Sequence, residues 1–238
     1  MEVIEKKENQ ITFKVDIEDS LANAIRRYLN QILVLAIDEV EISKNGSALY
    51  DEVVAHRIGL VPLKADKAIS EKTTANLKLS SKKEGMVKSE ELKGSIDTVS
   101  PDVPITYLDK GQEIELVANI RAGKGSEHVK FSPGLMFYRH ISEITLDKSL
   151  LEEVKKVCPD CNIQEKGDKI IITDDKSKEI ADVIEGVANR LGKKAEVSEK
   201  ESLVVTLESF GQMDVKDIFK KAIDALKKDL ADVSKKIK

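Results

Sequence analysis

The sequence of 238 residues predicts an α+β protein whose two ends share one core, with further material inserted between them. Ile11, Phe13, Val15 and Ile17 alternate with polar residues, the period of a half-buried strand. The C-terminal segment instead repeats its apolar residues at steps of three and four, the period of a helix. A lone strand or a lone helix cannot cover its apolar face, so the signals at the two ends need each other for a core.

Asp19 or Ser20 is placed as the cap of a first helix, with Leu21, Ile25, Tyr28, Leu29 and Ile32 on one stripe. Arg26, Arg27 and Asn30 fall off that stripe. A second strand is expected through Asp38–Ile42, then a tight turn at Asn45-Gly46. Leu49, Val53, Val54 and Ile58 suggest a short helix, with Gly59 as its stop and Pro62 just beyond. The region 64–112 is more polar and reads as short strands and loops, including Ser80–Lys93 and the turn-rich SPDVP at 100–104.

Alternation returns at Ile114, Leu116, Ala118 and Ile120, followed by a loop from Ala122 to Ser126. A further strand is expected to turn Leu135, Phe137, Arg139 and Ile141 to one side. From about 147 the pattern becomes helix–strand–helix–strand. A helix with Leu150, Leu151, Val154 and Val157 leads into Cys158-Pro159-Asp160-Cys161, then a strand at Ile170–Ile172. A helix with Ile180, Val183, Ile184, Val187 and Leu191 is ended by Gly192. Leu203, Val205 and Leu207 form a strand, and the closing helix carries Phe219, Ala222, Leu226, Leu230, Val233 and Ile237. That last stripe resembles a coiled-coil seam or a helix lying in a partner's groove.

Composition narrows the function. Charged residues make up 34% with a formal net charge of −4, a mixed-sign surface and neither a polybasic arm nor an acidic tail. Aromatics at 4% and the absence of Trp argue against a stacking platform for single strands. The longest apolar run, Ile32–Ile37, has six residues. A bilayer span needs about 20. The opening MEVIEKKENQ has no secretion-signal core. The two cysteines cannot build a disulfide framework and fit a reducing cytosol, so a cytoplasmic protein is expected.

Catalytic patterns are missing. Gly123-Lys124-Gly125-Ser126 lacks the spacing of a phosphate-binding loop. His56, His128 and His140 have no second ligand three or four residues away. Asp174-Asp175 is a lone pair where two-metal chemistry wants clustered carboxylates. Cys158 and Cys161 leave three readings open: no cofactor, half of a shared or incomplete metal site, or redox activity. The eight Lys and five Asp after Gln212 are interleaved, as on a solvated helix face.

Four stretches together resemble one family. Ser20-Leu21-Ala22-Asn23-Ala24-Ile25-Arg26-Arg27 followed by Ala36-Ile37-Asp38-Glu39-Val40-Glu41-Ile42 is similar to the first helix and strand of the α-like subunits of multisubunit RNA polymerases. Ala55-His56-Arg57-Ile58-Gly59-Leu60-Val61-Pro62-Leu63 resembles the motif opening their inserted domain. Glu127-His128-Val129-Lys130-Phe131-Ser132-Pro133 resembles the segment near that domain's end. The long helix after Glu208-Ser209-Phe210-Gly211 resembles the family's closing element. The resemblance covers the whole chain and is strongest to the archaeal D type.

It implies a discontinuous dimerisation domain from residues 1–45 and 200–238, an inserted β-rich domain at 46–146, and a small ferredoxin-like α/β insert at 147–199. The implied role is assembly: pairing with the smaller subunit L, binding small subunits N and P, and recruiting the large catalytic subunits, with no catalytic residue in this chain. Leu21, Ile25, Tyr28, Leu29, Phe219, Leu226, Leu230 and Val233 are the expected dimer seam. Some D-type subunits hold iron–sulfur clusters; with only Cys158 and Cys161 here, no cluster and no other cofactor are expected. The alternatives are a homodimer built on the same helices, a small C-x-x-C redox protein, and a direct DNA-binding module.

Overall fold

The computed structural model describes residues 1–64 and 69–237. The chain forms two compact units, Met1–Asn23 with Met136–Leu207 and Ala24–Leu135 with Glu208–Lys238. Each is described by itself.

The first unit is built on a six-stranded sheet. Its strands are β1 (Glu2–Lys6), β2 (Gln10–Val15), β9 (Gly134–Asp147), β10 (Asn162–Lys166), β11 (Lys169–Asp174) and β12 (Glu196–Ser209). Their spatial order is β1-β2-β12-β9-β11-β10. Helices α3 (Leu151–Val157) and α4 (Ala181–Arg190) connect β9 to β10 and β11 to β12. β11 lies antiparallel to both β9 and β10. β9 and β10 are therefore parallel with β11 between them, the split βαβ arrangement.

Helical and strand periods meet in the core of this unit. Ile144, Leu146, Ile170 and Ile172, spaced by two on β9 and β11, cluster with Leu150, Val154, Ile184 and Ala188. On β12 the whole run Leu203–Leu207 is buried, so both faces of that central strand are covered. Gly192 ends α4 with φ 69°, and Lys193 N donates to the Ala188 carbonyl as the helix closes.

A buried ion pair ties this unit together. Asp174 is fully buried, and its carboxylate accepts from Arg139 Nη2 at 2.8 Å. Its other oxygen accepts from the backbone N–H groups of Ile180 and Ala181, satisfying the first amides of α4. The Arg139 guanidinium also donates to the carbonyls of Asp174 and Lys176. One side chain thus fixes a strand end, a loop and a helix start.

The second unit holds a four-stranded sheet of β3 (Leu33–Asn45), β8 (Ile114–Lys124), β4 (Thr74–Ser81) and β6 (Lys93–Gly94), in that order. A ribbon of β5 (Gly85–Lys88) and β7 (Pro104–Leu108) and helix α2 (Asp51–Gly59) complete the inserted part. Its core gathers Ile37, Val54, Ile58, Leu63, Leu77, Leu79, Ile105 and Leu108 with the alternating Ile114, Leu116, Ala118 and Ile120. Helix α1 (Asp19–Tyr28) begins in the first unit and runs into the second; α5 (Val215–Lys236) closes the second.

Several expectations change. Residues 147–199 do not stand apart, because β11 hydrogen-bonds β9 and extends the sheet that holds β1 and β2. β10 is an additional strand: Asn162–Lys166 has one apolar residue, Ile163, and edge strands are commonly polar. On β9 the expected side is inverted at its start, with Leu135 and Phe137 exposed and Met136 buried. Val183 and Val53 are exposed while Ile184, Val187, Val54 and Ile58 take the core positions. The loop expected from Ala122 to Ser126 is strand as far as Lys124. Gly59 closes α2 from within, without a left-handed backbone.

Replacing Asp174 with Ala strands the Arg139 charge and two helix amides. The expected loss is about 3 kcal/mol in urea unfolding. Replacing Arg139 and Asp174 together by apolar residues of similar shape should recover most of it.

Candidate subunit interface

Within the second unit, the residues Ala24–Tyr28 of α1 continue into a 3₁₀ turn, Leu29–Gln31, which packs on α5. Ile25 and Leu29 point inward and are buried, at 6% and 2% exposure. They are buried within the chain and have no surface to give a partner, which corrects their place in the expected seam. Tyr28 is half-buried, and its hydroxyl donates to Asp229 Oδ2 on α5 at 3.1 Å. That carboxylate holds the phenol above its ordinary range.

Asp214 caps α5 by accepting from Lys216 N at 2.8 Å. The stripe then divides. Val215, Ile218 and Ala222 are buried, and Phe219, Ile223, Ala225 and Leu226 are half-buried. From Lys227 onward every described residue of the helix is exposed, including Leu230 at 60% and Val233 at 54%. Ile237, just past the helix, continues the same face at 81%. Leu21, in the first unit, is also exposed. Of the eight expected seam residues, three are open, three are half-covered and two are internal.

A polar lock holds the end of α1 in place. Asn30 faces the turn after β8 with two oxygens: its main-chain carbonyl accepts from Ser126 N at 3.1 Å, and its Oδ1 accepts from Ser132 Oγ at 3.1 Å. The turn is braced in its own right. Asp38 on β3 accepts from Arg121 Nε and Lys130 Nζ, both at 2.8 Å. Arg121 also donates to Glu127, whose second oxygen accepts from Lys124 N. Arg121, then Lys130, keeps the Asp38 carboxyl below its ordinary range.

Phe131 is fully buried beneath these cations, with the Arg121 guanidinium 4.6 Å from its ring centre. Gly123 permits that approach, since a Cβ there would meet the ring at 2.8 Å. His128 caps the following 3₁₀ turn by accepting from Lys130 N. The Glu127–Pro133 segment is thus a bracket for the neighbouring helix end. The period-two pattern at Ala118 and Ile120 could have placed Arg121 on the opposite face; it carries no sign of its partners Asp38 and Glu127.

A cavity of about 590 Å³ lies at this bracket, lined by Ala24, Arg26, Arg27, Tyr28, Asn30, Gln31, Ser126 and Asp229. Its lining brings two arginines and the side-chain amides of Asn30 and Gln31 to Asp229 of α5.

The cysteines lie elsewhere, in the first unit. Cys158 and Cys161 are joined by a disulfide at the C-terminal end of α3, in place of the expected pair of reduced thiols. A four-thiolate cluster does not fit this donor set, because the chain has two cysteines in all. Among the described residues no group of three or more His, Cys, Asp or Glu converges as a metal site. None of the described helices is long and apolar enough to cross a membrane.

Residues 40–136 match the family described as the RNA polymerase Rpb3/RpoA insert domain. Over the chain as a whole, the sequence is 31% identical to DNA-directed RNA polymerase subunit Rpo3 of Thermococcus kodakarensis, covering 94% of this chain and 92% of that one. It is 27% identical to Rpo3 of Archaeoglobus fulgidus, over 99% of this chain and 96% of the other. It is also 31% identical to subunit rpb3 of RNA polymerase II from Dictyostelium discoideum, over 65% of this chain and 62% of that one.

The bracket gives a pH prediction. Asp38 stabilises the fold above its unfolded pKa, about 3.9, and that contribution is lost as pH falls through its depressed folded value. Asp38→Asn should therefore be less stable than the parent at pH 7. The gap should close as both are unfolded by urea at progressively lower pH.

Proposed function

This chain belongs to the α-like family of DNA-directed RNA polymerase subunits, and from that premise we propose that it is an assembly platform. It pairs with the smaller subunit L through α1 and α5, binds small subunits N and P, and recruits the large catalytic subunits. The polymerase acts as a nucleotidyltransferase; this chain contributes geometry and no catalytic group. We assign it to the cytoplasm, where transcription in archaea takes place.

The observation that carries the reading is the division of the α5 stripe. Leu226 is half-covered by the chain itself, whereas Leu230, Val233 and Ile237 continue the same face with nothing over them. An exposed aliphatic row of this kind costs solubility unless a partner covers it. Leu21, Tyr28, Phe219 and Leu226 complete the seam, while Ile25 and Leu29 support it from inside. We keep the expected domain scheme as part of this proposal. Residues 1–45 and 200–238 supply the pairing elements, 46–146 encloses the family match at 40–136 to within a few residues at one end, and 147–199 carries most of the split βαβ unit.

A redox function for Cys158 and Cys161 is less well supported. Cys158 follows the C-terminus of α3, where the helix dipole is negative. Reactive thiolates gain from the opposite, N-terminal placement. We propose that the insert folds without a cluster, its core being aliphatic throughout its two helices and sheet. Purified protein should contain no stoichiometric iron or acid-labile sulfide, whether prepared in air or anaerobically.

Co-expression with subunit L and light scattering on a sizing column tests the pairing. A 1:1 complex is expected; a monomer or homodimer that ignores L would overturn it. Leu230→Asp and Val233→Asp should leave the thermal unfolding of this chain unchanged, because both sites are exposed within it. Each should weaken the heterodimer at least tenfold by placing a charge in an apolar seam.

A further inference from the structure

His140 lies on β9 in the first unit, and both of its ring nitrogens meet acceptors. Nε2 is 3.0 Å from Asp19 Oδ2 at the start of α1, and Nδ1 is 2.7 Å from the Lys200 carbonyl on β12. A carboxylate and a carbonyl can only accept, so satisfying both requires an N–H on each nitrogen, which is the imidazolium. The ring borders a cavity of about 450 Å³ lined by Asp16, Ile17, Glu18, Asp19, His140 and Glu201.

The charged groups around the ring favour that cation. Asp16, Glu18 and Asp19 come from the segment entering α1, and Glu199, Lys200 and Glu201 from β12. The Lys200 ammonium is engaged by Glu143, and Asp16 accepts from Ser202. On β9 itself, Arg139 directs its guanidinium to the carbonyls of His140, Asp174 and Lys176. The bond to the Lys200 carbonyl, followed by that to Asp19, raises the His140 pKa above its ordinary value despite partial burial.

We infer that His140 is a proton-operated latch that clips the first turn of α1 to β9 and β12. Protonated, the ring bridges three elements of the first unit. Neutral, it has one N–H for two acceptors, and one of the two clips opens. A histidine whose folded pKa is raised contributes fully below its unfolded value near 6.5 and loses that contribution as pH rises through the folded value. The latch is therefore closed in mild acid and opens on the alkaline side of about 6.5. The inference rests on first-unit geometry and does not depend on the assembly reading.

The test is a pH titration of the full chain by NMR, reading the three histidine rings and the exchange protection of the amides of residues 20–23. His140 is expected to titrate above 6.5. Protection of those amides, corrected for intrinsic exchange, should fall about tenfold as the ring deprotonates, the scale of one charge-assisted hydrogen bond. Asp19→Asn should lower the His140 pKa, and His140→Gln should leave the same amides weakly protected at every pH. A His140 pKa at or below 6.5, amide protection that does not follow the ring, or no response to Asp19→Asn would each overturn the latch. If His140→Gln does not fold, the parent titration and Asp19→Asn decide the question.

Discussion

Water must be kept from apolar surface, and α5 has more of it than its own core can cover. The helix is 22 residues long, about 33 Å, and its stripe is continuous. Its first three turns are fastened by Val215, Ile218 and Ala222, which are buried. Beyond Leu226 the described apolar residues of this face, Leu230 and Val233, are exposed, and Tyr28 holds the helix there through Asp229. The same residue type therefore does two jobs along one helix. Near the N-terminus it builds the fold, and near the C-terminus it stays exposed, which is why we propose a partner there. Anchoring one end of the helix matters to the other, because a frayed helix would have to regain its order on binding and so bind more weakly.

The bracket at Asp38, Arg121, Glu127, Lys130 and Phe131 serves the same end by different chemistry. Surface ion pairs taken singly contribute little to stability. Here the charges share partners, and two cations lie over a buried ring that Gly123 lets close. The result positions the turn carrying Ser126 and Ser132, and these two residues fix Asn30 from both its main chain and its side chain. Arg26 and Arg27 precede that point, on the last turn of α1. The conspicuous motif residues of Glu127–Pro133 are thus explained by local structure: they hold a helix end at a surface.

Periodicity made much of this legible in the sequence. The alternation at Ile114–Ile120 and at Ile11–Phe13 became buried strand positions, and the closing stripe became a helix from Phe219 to Val233, with Ile237 at its C-cap. Gly192 closed its helix as its spacing implied. What failed was phase and partnership. Leu135 and Phe137 are as apolar as Met136, so pattern alone could not say which side of β9 faces inward. β10 escaped notice because an edge strand needs only one covered face and Ile163 was the only apolar sign of it. Ile25 and Leu29 share a stripe with Leu21 and Tyr28, yet burial sorts them into core and surface. That sorting depends on long-range packing, which no local window contains.

The insert draws its stability from the sheet it joins and from one buried ion pair. A cluster closes loops by gathering four thiolates, a constraint small domains use when their core is thin. In this chain the same segment is joined edge to edge with a larger sheet, so β9 and β12 lend it two strands that are already ordered. Asp174 then ties the last strand to α4 through one buried carboxylate, and Arg139 returns that charge to β9. The disulfide at Cys158 and Cys161 closes only a short loop, and a short loop restricts the unfolded chain less than a long one does. The sheet and the buried ion pair therefore carry the fold of the insert, and the cysteines are secondary to it.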